Sequence, residues 1–218
     1  AERATLRKTF PSDFKTYTLD LPALRRQLFT IVGSTQKHTT KIIIPNADGV
    51  FEEFEVVEAS NFEPALQAKF PEIRAFSGKG ITDKYASLKL SISPQGIQTM
   101  VMRTEKEFEF IEPYSQGQMV YAVFKRFRSK NQLPWSCTTP NEKLSYDINN
   151  EIKNSGISAR SGGNLKTMRL AQSVTAEYSN YFGATSSAQV SLVLAAVNNT
   201  LTRTNGIYEV DLALHLNL

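Results

Sequence analysis

The hydrophobic pattern of residues 170–218 changes its period once, and this change constrains the fold more than any other feature of the chain. Apolar residues in AQVSLVLAAVNNTL recur with the spacing of one helix face, at Val190, Val193, Leu194, Val197 and Leu201. The Asn205-Gly206 pair predicts the end of this helix. Residues 210–218 then alternate as in a half-buried strand, with His215 on the side facing away from the core. The pattern predicts a strand, a helix and a strand in that order.

A strand-helix-strand unit of this size cannot bury its own apolar face, because too much of its surface stays exposed. Parallel strands joined by a helix also require a right-handed crossover within a larger sheet, and the last strand would expose an unpaired edge. The unit can pack on the N-terminal region, on a second copy or on a further chain. We expect it to dock on the N-terminal region, with a homodimer through the exposed C-terminal strand as a further expectation.

The sequence pattern of the N-terminal region predicts an antiparallel sheet with short helices. Residues 19–29 place leucines on one helix face, with Asp20 as the cap. Residues 41–45 and 50–58 alternate as two strands around an Asn-Ala-Asp-Gly turn, which predicts a hairpin. A second hairpin is expected around residues 93–96, and short runs later in the region predict two more strands.

The C-terminal pattern resembles the start of the catalytic domain in bacterial secreted reprolysin-like metzincin metallopeptidases. The resemblance is carried in order by R-L-A at 169–171, T-A-E-Y at 175–178, Y-F-G at 181–183 and N-G-I-Y-E-V-D-L at 205–212. The resemblance implies a zinc ion bound by an H-E-x-x-H-x-x-G-x-x-H helix, with its glutamate as the general base. This chain contains only His38 and His215 and lacks that motif, so we expect no catalytic residue and no activity in it. Zinc is expected in the full-length protein and not on this chain.

The N-terminal region resembles the propeptide of the same proteases. The matching runs are P-N-A-D-G-V-F-E-E-F-E-V-V-E, P-A-L-Q-A-K-F-P-E-I-R-A-F-S-G-K-G-I, L-S-I-S-P-Q-G-I and I-E-P-Y. Such a proregion is expected to assist folding of the catalytic domain and to block its cleft until cleavage. The resemblance further implies an exported bacterial protein, secreted or at the cell surface, with protein substrates for the complete enzyme. Its closest partner would be the remainder of its own catalytic domain.

Together these observations predict an α+β fold in three parts. Residues 1–128 form a β-rich antiparallel prodomain, residues 129–165 a linker, and residues 166–218 the strand-helix-strand start of a metzincin-type α/β catalytic domain. The linker is polar and rich in proline, glycine and serine. Arg160, flanked by serine and glycine, is the preferred maturation site, and the alternative is a solvated residue in a loop.

Cys137 is the single cysteine of the chain, so it cannot form an internal disulfide. Its place ahead of a zinc peptidase domain suggests a cysteine switch, in which the thiolate occupies the zinc position otherwise used by the nucleophilic water. The alternatives are a disulfide with a cysteine elsewhere in the complete protein, or packing as a small apolar residue.

The composition limits the range of functions. The net charge of +4 comes from 25 basic and 21 acidic residues that are spread along the chain, so nucleic-acid binding is not expected. No apolar run reaches the length of a membrane span. Two function classes remain: the proregion and truncated start of a latent secreted zinc endopeptidase, or a non-enzymatic secreted β-rich module that binds another protein.

Overall fold

An eight-stranded antiparallel sheet organises the N-terminal part of the computed structural model, which describes residues 11–33, 38–104, 107–126 and 164–218. Its strands follow the order β1-β8-β7-β6-β5-β4-β3-β2, so β2 to β8 form a meander and β1 closes one edge. The elements are β1 Lys15–Thr18, α1 Leu21–Phe29, β2 Thr39–Pro45, β3 Phe51–Glu58, α2 Pro64–Lys69, β4 Arg74–Gly80, β5 Ser87–Ser93, β6 Gly96–Met102, β7 Glu109–Pro113 and β8 Val120–Lys125.

The sheet curls into a half-barrel, which brings the edge strand β1 close to the β2–β3 hairpin at the other edge of the sheet. Lys15 on β1 donates a hydrogen bond to the carbonyl of Asp48, in the turn between β2 and β3. The ring of Tyr17 meets that of Phe51 edge to face, with 5.8 Å between the centroids. The two edges of the sheet are therefore joined by side chains at this end.

Helix α1 fills the concave face of the half-barrel. Asp20 caps it by accepting a hydrogen bond from the backbone of Ala23 at 2.9 Å, as the sequence predicts. Leu24 and Leu28 then point into the core that the inward residues of the sheet form. The buried sheet residues around the helix include Ile42, Phe54, Val56, Phe76, Leu88, Leu90, Ile92 and Val123.

The predicted hairpins are confirmed. Strands β2 and β3 pair with Ile42 opposite Phe54, and β5 and β6 pair across the turn with Ser93 opposite Gly96. The two expected later strands are β7 and β8. Strand β1 was not predicted. The described region is thus α+β with a high β content, as expected.

The chain from Leu165 onward belongs to the same compact unit as the described residues before Phe127. Its elements are β9 Lys166–Arg169, α3 Ala176–Tyr181, a 3-10 turn Ser187–Gln189, α4 Val190–Asp211 and β10 Leu214–Asn217. Strands β9 and β10 pair in parallel, with Lys166 opposite Leu214, so the expected strand-helix-strand order is confirmed. Residues 165–218 are called the C-terminal unit below.

The predicted end of the long helix is wrong. Asn205-Gly206 lies inside α4, which continues to Asp211, and residues 210–213 are not part of the strand. The left-handed turn after the helix is made by Ala213, with φ of 50°. Gly206 is explained by packing: a Cβ there would lie 2.9 Å from both Lys89 Cγ and Met100 Cε. The glycine lets the helix approach the sheet closely and does not end it.

Among the described helices, none combines the length and the apolar character that crossing a membrane requires.

Leu28 tests the core assignment. Its side chain is 0% exposed, so Leu28→Ala should lower the free energy of unfolding by about 2–5 kcal/mol through lost burial and a residual cavity. Denaturant unfolding measures the change. Leu212→Ala, at a residue that is 61% exposed, is the matched control and should change stability little. Equal effects of the two substitutions would contradict the core assignment.

Candidate functional site

The candidate site is the surface on which α4 packs against the outer face of β4, β5 and β6. Successive side chains of a strand point to opposite faces, so Leu88 and Leu90 enter the half-barrel while Lys89 and Ser91 face the helix. We call this contact surface the seat. It joins the region expected as a propeptide to the region expected as the start of a catalytic domain.

Asn61, which precedes α2, is the centre of the seat. Its Nδ2 donates to Asn198 Oδ1 at 2.9 Å and to Thr202 Oγ1 at 2.8 Å, and its Oδ1 accepts from Asn205 Nδ2 at 2.9 Å. Asn61, Asn198 and Asn205 are 2%, 1% and 1% exposed. Each buried amide therefore depends on the others, since an unmade hydrogen bond would carry the full cost of desolvation.

The side-chain amide of Asn205 and the backbone of Asn61 also engage the end of the chain at Leu216 and Leu218. Asn205 Nδ2 donates to the carbonyl of Leu216 at 2.9 Å, and the N–H of Leu216 donates to Asn205 Oδ1 at 2.8 Å. The backbone N–H of Leu218 donates to the backbone carbonyl of Asn61 at 2.7 Å. The backbone carbonyl of Leu218 accepts from the backbone N–H of Glu63 at 2.6 Å. The expectation that the last strand exposes an unpaired edge is wrong at Leu216 and Leu218. The residues of β9 are the exposed ones, and the homodimer remains a prediction.

A buried lysine, a glutamate and a histidine form the second polar contact. Lys89, whose side chain is 7% exposed, bonds Glu209 Oε2 from the sheet. His215 Nδ1 lies 2.8 Å from Glu209 Oε1, and its Nε2 lies 3.2 Å from the carbonyl oxygen of Ser60. Burial disfavours the charged form of Glu209, but the hydrogen bonds from His215 and Lys89 outweigh it and lower the pKa of Glu209.

The placement of His215 on the surface, expected from the alternation of the strand, is wrong. Its side chain is only 13% exposed. The reason is that the seat covers the second face of β10 as well, through α4 and the loop at Ser60. Strand alternation separates two faces, but it does not say whether one of them is solvated.

Arg203 and an apolar cluster complete the seat. The guanidinium of Arg203 bonds Glu112 at 2.8 Å and lies over the ring of Phe110, 5.0 Å from its centroid. Burial lowers the pKa of Arg203 to about 10. At the other end, Phe62, Ile73 and Ala195 are buried together with the partly buried Leu66, Phe70, Leu194 and Leu218.

The polar contacts of α4 were missed by sequence reasoning, although the sequence carries a signal for them. Asn198, Thr202, Asn205 and Glu209 follow one another at spacings of four, three and four residues, which places them on one helix face. A stripe of amides and a hydroxyl inside an apolar helix indicates a face that requires hydrogen-bond partners.

A second polar cluster lies inside the half-barrel, beside a cavity of about 740 Å³. Arg103 pairs there with Glu52 at 2.5 Å, Asp83 at 2.7 Å and Glu109 at 2.9 Å. Burial alone would lower the pKa of Arg103, but these carboxylates outweigh it and raise the pKa. The cation balances carboxylates from three parts of the sheet region, of which Glu52 and Glu109 are buried and Asp83 is half-buried.

The two candidate residues predicted from sequence, Cys137 and Arg160, lie in the range 127–163, outside the described residues. Within the ranges that the structure describes, no three histidine, cysteine or acidic side chains come together as a metal site.

Comparison of the chain with protein-family models, with curated proteins and with solved structures finds no match in any of the three.

Asn61 tests the seat. Asn61→Ala removes the hydrogen bond that Asn198 Oδ1 accepts, at a cost of about 1–3 kcal/mol for the group left unsatisfied. It also removes one hydrogen bond each from Thr202 and Asn205, which keep their contacts with the backbone of Asn198 and Leu216. We expect lower stability in denaturant and faster hydrogen exchange in α4. Asn180→Ala, at an exposed position on α3, is the matched control. Equal stability of the two variants would show that the network does not hold the unit.

Proposed function

We propose that residues 1–128 are the proregion of a secreted zinc endopeptidase, and that the C-terminal unit is the start of its catalytic domain. The proregion would assist folding of that domain and keep it latent. One observation supports this proposal above the others: the strand-helix-strand unit rests on the sheet through a buried polar seat centred on Asn61. The chain itself is proposed to be inactive.

The contacts that the seat supplies support the proposed role in folding. The C-terminal unit is too small to bury its own helix, and α4 carries amides that an apolar core would leave without partners. The sheet provides both an apolar surface at Phe62 and Ile73 and matched partners for the amides. The proregion would thus act as a template on which the first parallel strands and their crossover helix become stable.

The exposed strand β9 supports a continuing sheet. Parallel sheets in proteins are built from more than two strands and are covered by helices, and here β10 is already engaged by Asn205, Asn61 and Glu63. The residues of β9 are exposed, so this is the side on which a following strand could pair. This arrangement agrees with a catalytic domain that continues beyond these elements.

The described residues do not themselves suit zinc. His215 is engaged by Glu209 and Ser60, and His38 is exposed. No catalytic step is therefore assigned to them. In the complete protein, an H-E-x-x-H motif outside this chain would hold the metal, and Cys137 would close its open position in the latent form.

The first test uses the complete protein encoded with this chain, expressed with zinc and given a specific protease site in place of residues 159–161. We expect no peptidase activity before cleavage of the linker, and zinc-dependent activity once the proregion is cut and separated. A chelator should abolish that activity. A complete protein without an H-E-x-x-H motif, or without peptidase activity after cleavage, would refute the proposal and favour the non-enzymatic binding module.

Cys137 is tested separately in the same complete protein. If its thiolate occupies the zinc position, Cys137→Ala should give measurable zinc-dependent activity in the uncleaved protein, because water regains access to the metal. Ser136→Ala, at the neighbouring residue, is the matched control and should remain latent. Equal latency of the two variants would exclude the switch and leave steric blocking as the source of latency.

A further inference from the structure

The only Asn-Gly pair of the sequence, Asn205-Gly206, lies inside α4 and within the seat. An asparagine that precedes glycine is chemically labile, because the next backbone nitrogen can attack its side-chain carbonyl and glycine has no side chain to hinder that approach. The pair therefore places a reactive side chain at a buried structural position.

The packing of the seat requires both residues of the pair. Asn205 Nδ2 donates to Asn61 Oδ1 and to the carbonyl of Leu216, both at 2.9 Å, and its Oδ1 accepts from the N–H of Leu216 at 2.8 Å. A Cβ at Gly206 would lie 2.9 Å from two side chains of the sheet, so a larger residue does not fit without a shift. The close approach of α4 to the sheet thus creates the labile pair.

Deamidation of the pair proceeds through a cyclic imide. The nitrogen of Gly206 attacks Cγ of Asn205, so that an N–Cγ bond forms and the Cγ–Nδ2 bond breaks. Nδ2 leaves as ammonia and takes with it the proton of the Gly206 N–H. Water then opens the ring, at Cγ to give aspartate or at the backbone carbonyl carbon to give isoaspartate. The net reaction consumes one water, releases one ammonia and involves no change of oxidation state.

The seated helix prevents this reaction. Gly206 is an interior residue of α4, so its N–H is engaged by the carbonyl four residues earlier. Closure of the ring also moves the ψ of Asn205 away from the helical value of about −42°. Asn205 is 1% exposed, so the water needed for the second step is excluded as well. Deamidation therefore requires α4 to open locally.

An aspartate at position 205 does not fit the seat. One carboxylate oxygen can accept from the N–H of Leu216, as the amide oxygen does. The other oxygen takes the place of Nδ2 and faces two acceptors, Asn61 Oδ1 and the carbonyl of Leu216. A neutral carboxyl has a single O–H for these two acceptors, and an ionised one adds the cost of burying a charge.

Rotation of the neighbouring amides does not remove the mismatch. If Asn61 reversed its amide, its oxygen would face Asn198 Oδ1, to which its nitrogen now donates. Reversal of Asn198 would in turn direct its oxygen at the carbonyl of Arg74, to which its nitrogen now donates. The carbonyl of Leu216 belongs to the backbone of β10 and cannot reverse. Isoaspartate fits even less well, because it inserts an extra atom into the helical backbone.

We propose that Asn205 is a site of spontaneous deamidation that the seat suppresses, and that its conversion prevents the C-terminal unit from returning to the seat. Opening of α4 exposes the labile pair, and its return protects the pair again. One modification makes the release permanent, because the product cannot satisfy Asn61 and Leu216. This inference concerns the chain itself and stands whether or not the complete protein is a protease.

The first test follows deamidation of Asn205 in the whole chain at mildly alkaline pH, by peptide mapping and mass spectrometry. A synthetic peptide of residues 203–208 in the same buffer gives the unprotected rate. The folded chain should react more slowly than the peptide by at least ~10-fold, the factor for an opening free energy of about 1.4 kcal/mol. Equal rates in the chain and the peptide would overturn the proposal.

The dependence on the seat is tested in the same assay. Asn61→Ala removes one partner of Asn205 and should accelerate deamidation by about 5- to 150-fold, up to the rate of the peptide. Asn180→Ala, at an exposed position on α3, is the matched control and should react as the wild type does. Equal rates in these two variants would show that the seat does not protect the pair.

The second test asks whether the product returns to the seat. Asn205→Asp should lose hydrogen-exchange protection of the α4 amides, whereas Asn180→Asp, the matched control, should keep it. If Asn205→Asp fails to fold, wild-type chain aged in guanidinium until both forms are abundant is refolded as a mixture and treated briefly with trypsin. Cleavage after Arg203 reports an open α4, and the cleaved molecules should be enriched in the deamidated form. Equal deamidation of cleaved and uncleaved molecules, or unchanged protection in Asn205→Asp, would refute the proposal.

Discussion

The hydrogen bonds of Asn61 are the constraint on which the joining of the two described parts depends. The side-chain amide of Asn61 contacts Asn198, Thr202 and Asn205 on α4, and its backbone carbonyl contacts Leu218, just after β10. A buried amide without partners carries a desolvation cost that apolar packing nearby cannot offset locally. Only a placement of the helix that satisfies all of these groups together is stable. The apolar cluster at Phe62 adds burial, but it has no such directional requirement.

The polar character of the seat also bears on its proposed role. Contacts between parts that must later separate are typically more polar than a permanent core, because water can replace the hydrogen bonds on release. The contacts of the seat are polar in this way: they include the hydrogen bonds of Asn61, the Lys89–Glu209 ion pair and the Arg203–Glu112 ion pair. The half-barrel below them is different, since α1 and the inward leucines form an apolar core that has no need to open. Under the proposed function, a firm half-barrel with a releasable outer face would suit a part that assists folding and is then removed.

Most of the half-barrel could be predicted because its contacts are local in sequence. The alternation of residues 41–45 and 50–58, with turn residues between them, specifies a hairpin before any tertiary contact is known. Strand β1 could not be found this way, since it is short, largely exposed and pairs with the distant β8. The cluster around Arg103 was missed for a similar reason, because its carboxylates come from separate strands and a loop.

The sequence by itself determined most of the strands and helices, the capping of α1 by Asp20, and the need of the C-terminal unit for a partner. Only the tertiary structure decided where α4 ends, that Gly206 allows the helix to pack closely on the sheet, and that His215 is largely buried. The physical reason is that a hydrophobic period reports which residues avoid water, and not where a polar group finds its partner. Asn61 and Asn198 are 137 residues apart, so their hydrogen bond exists only once the helix lies on the sheet.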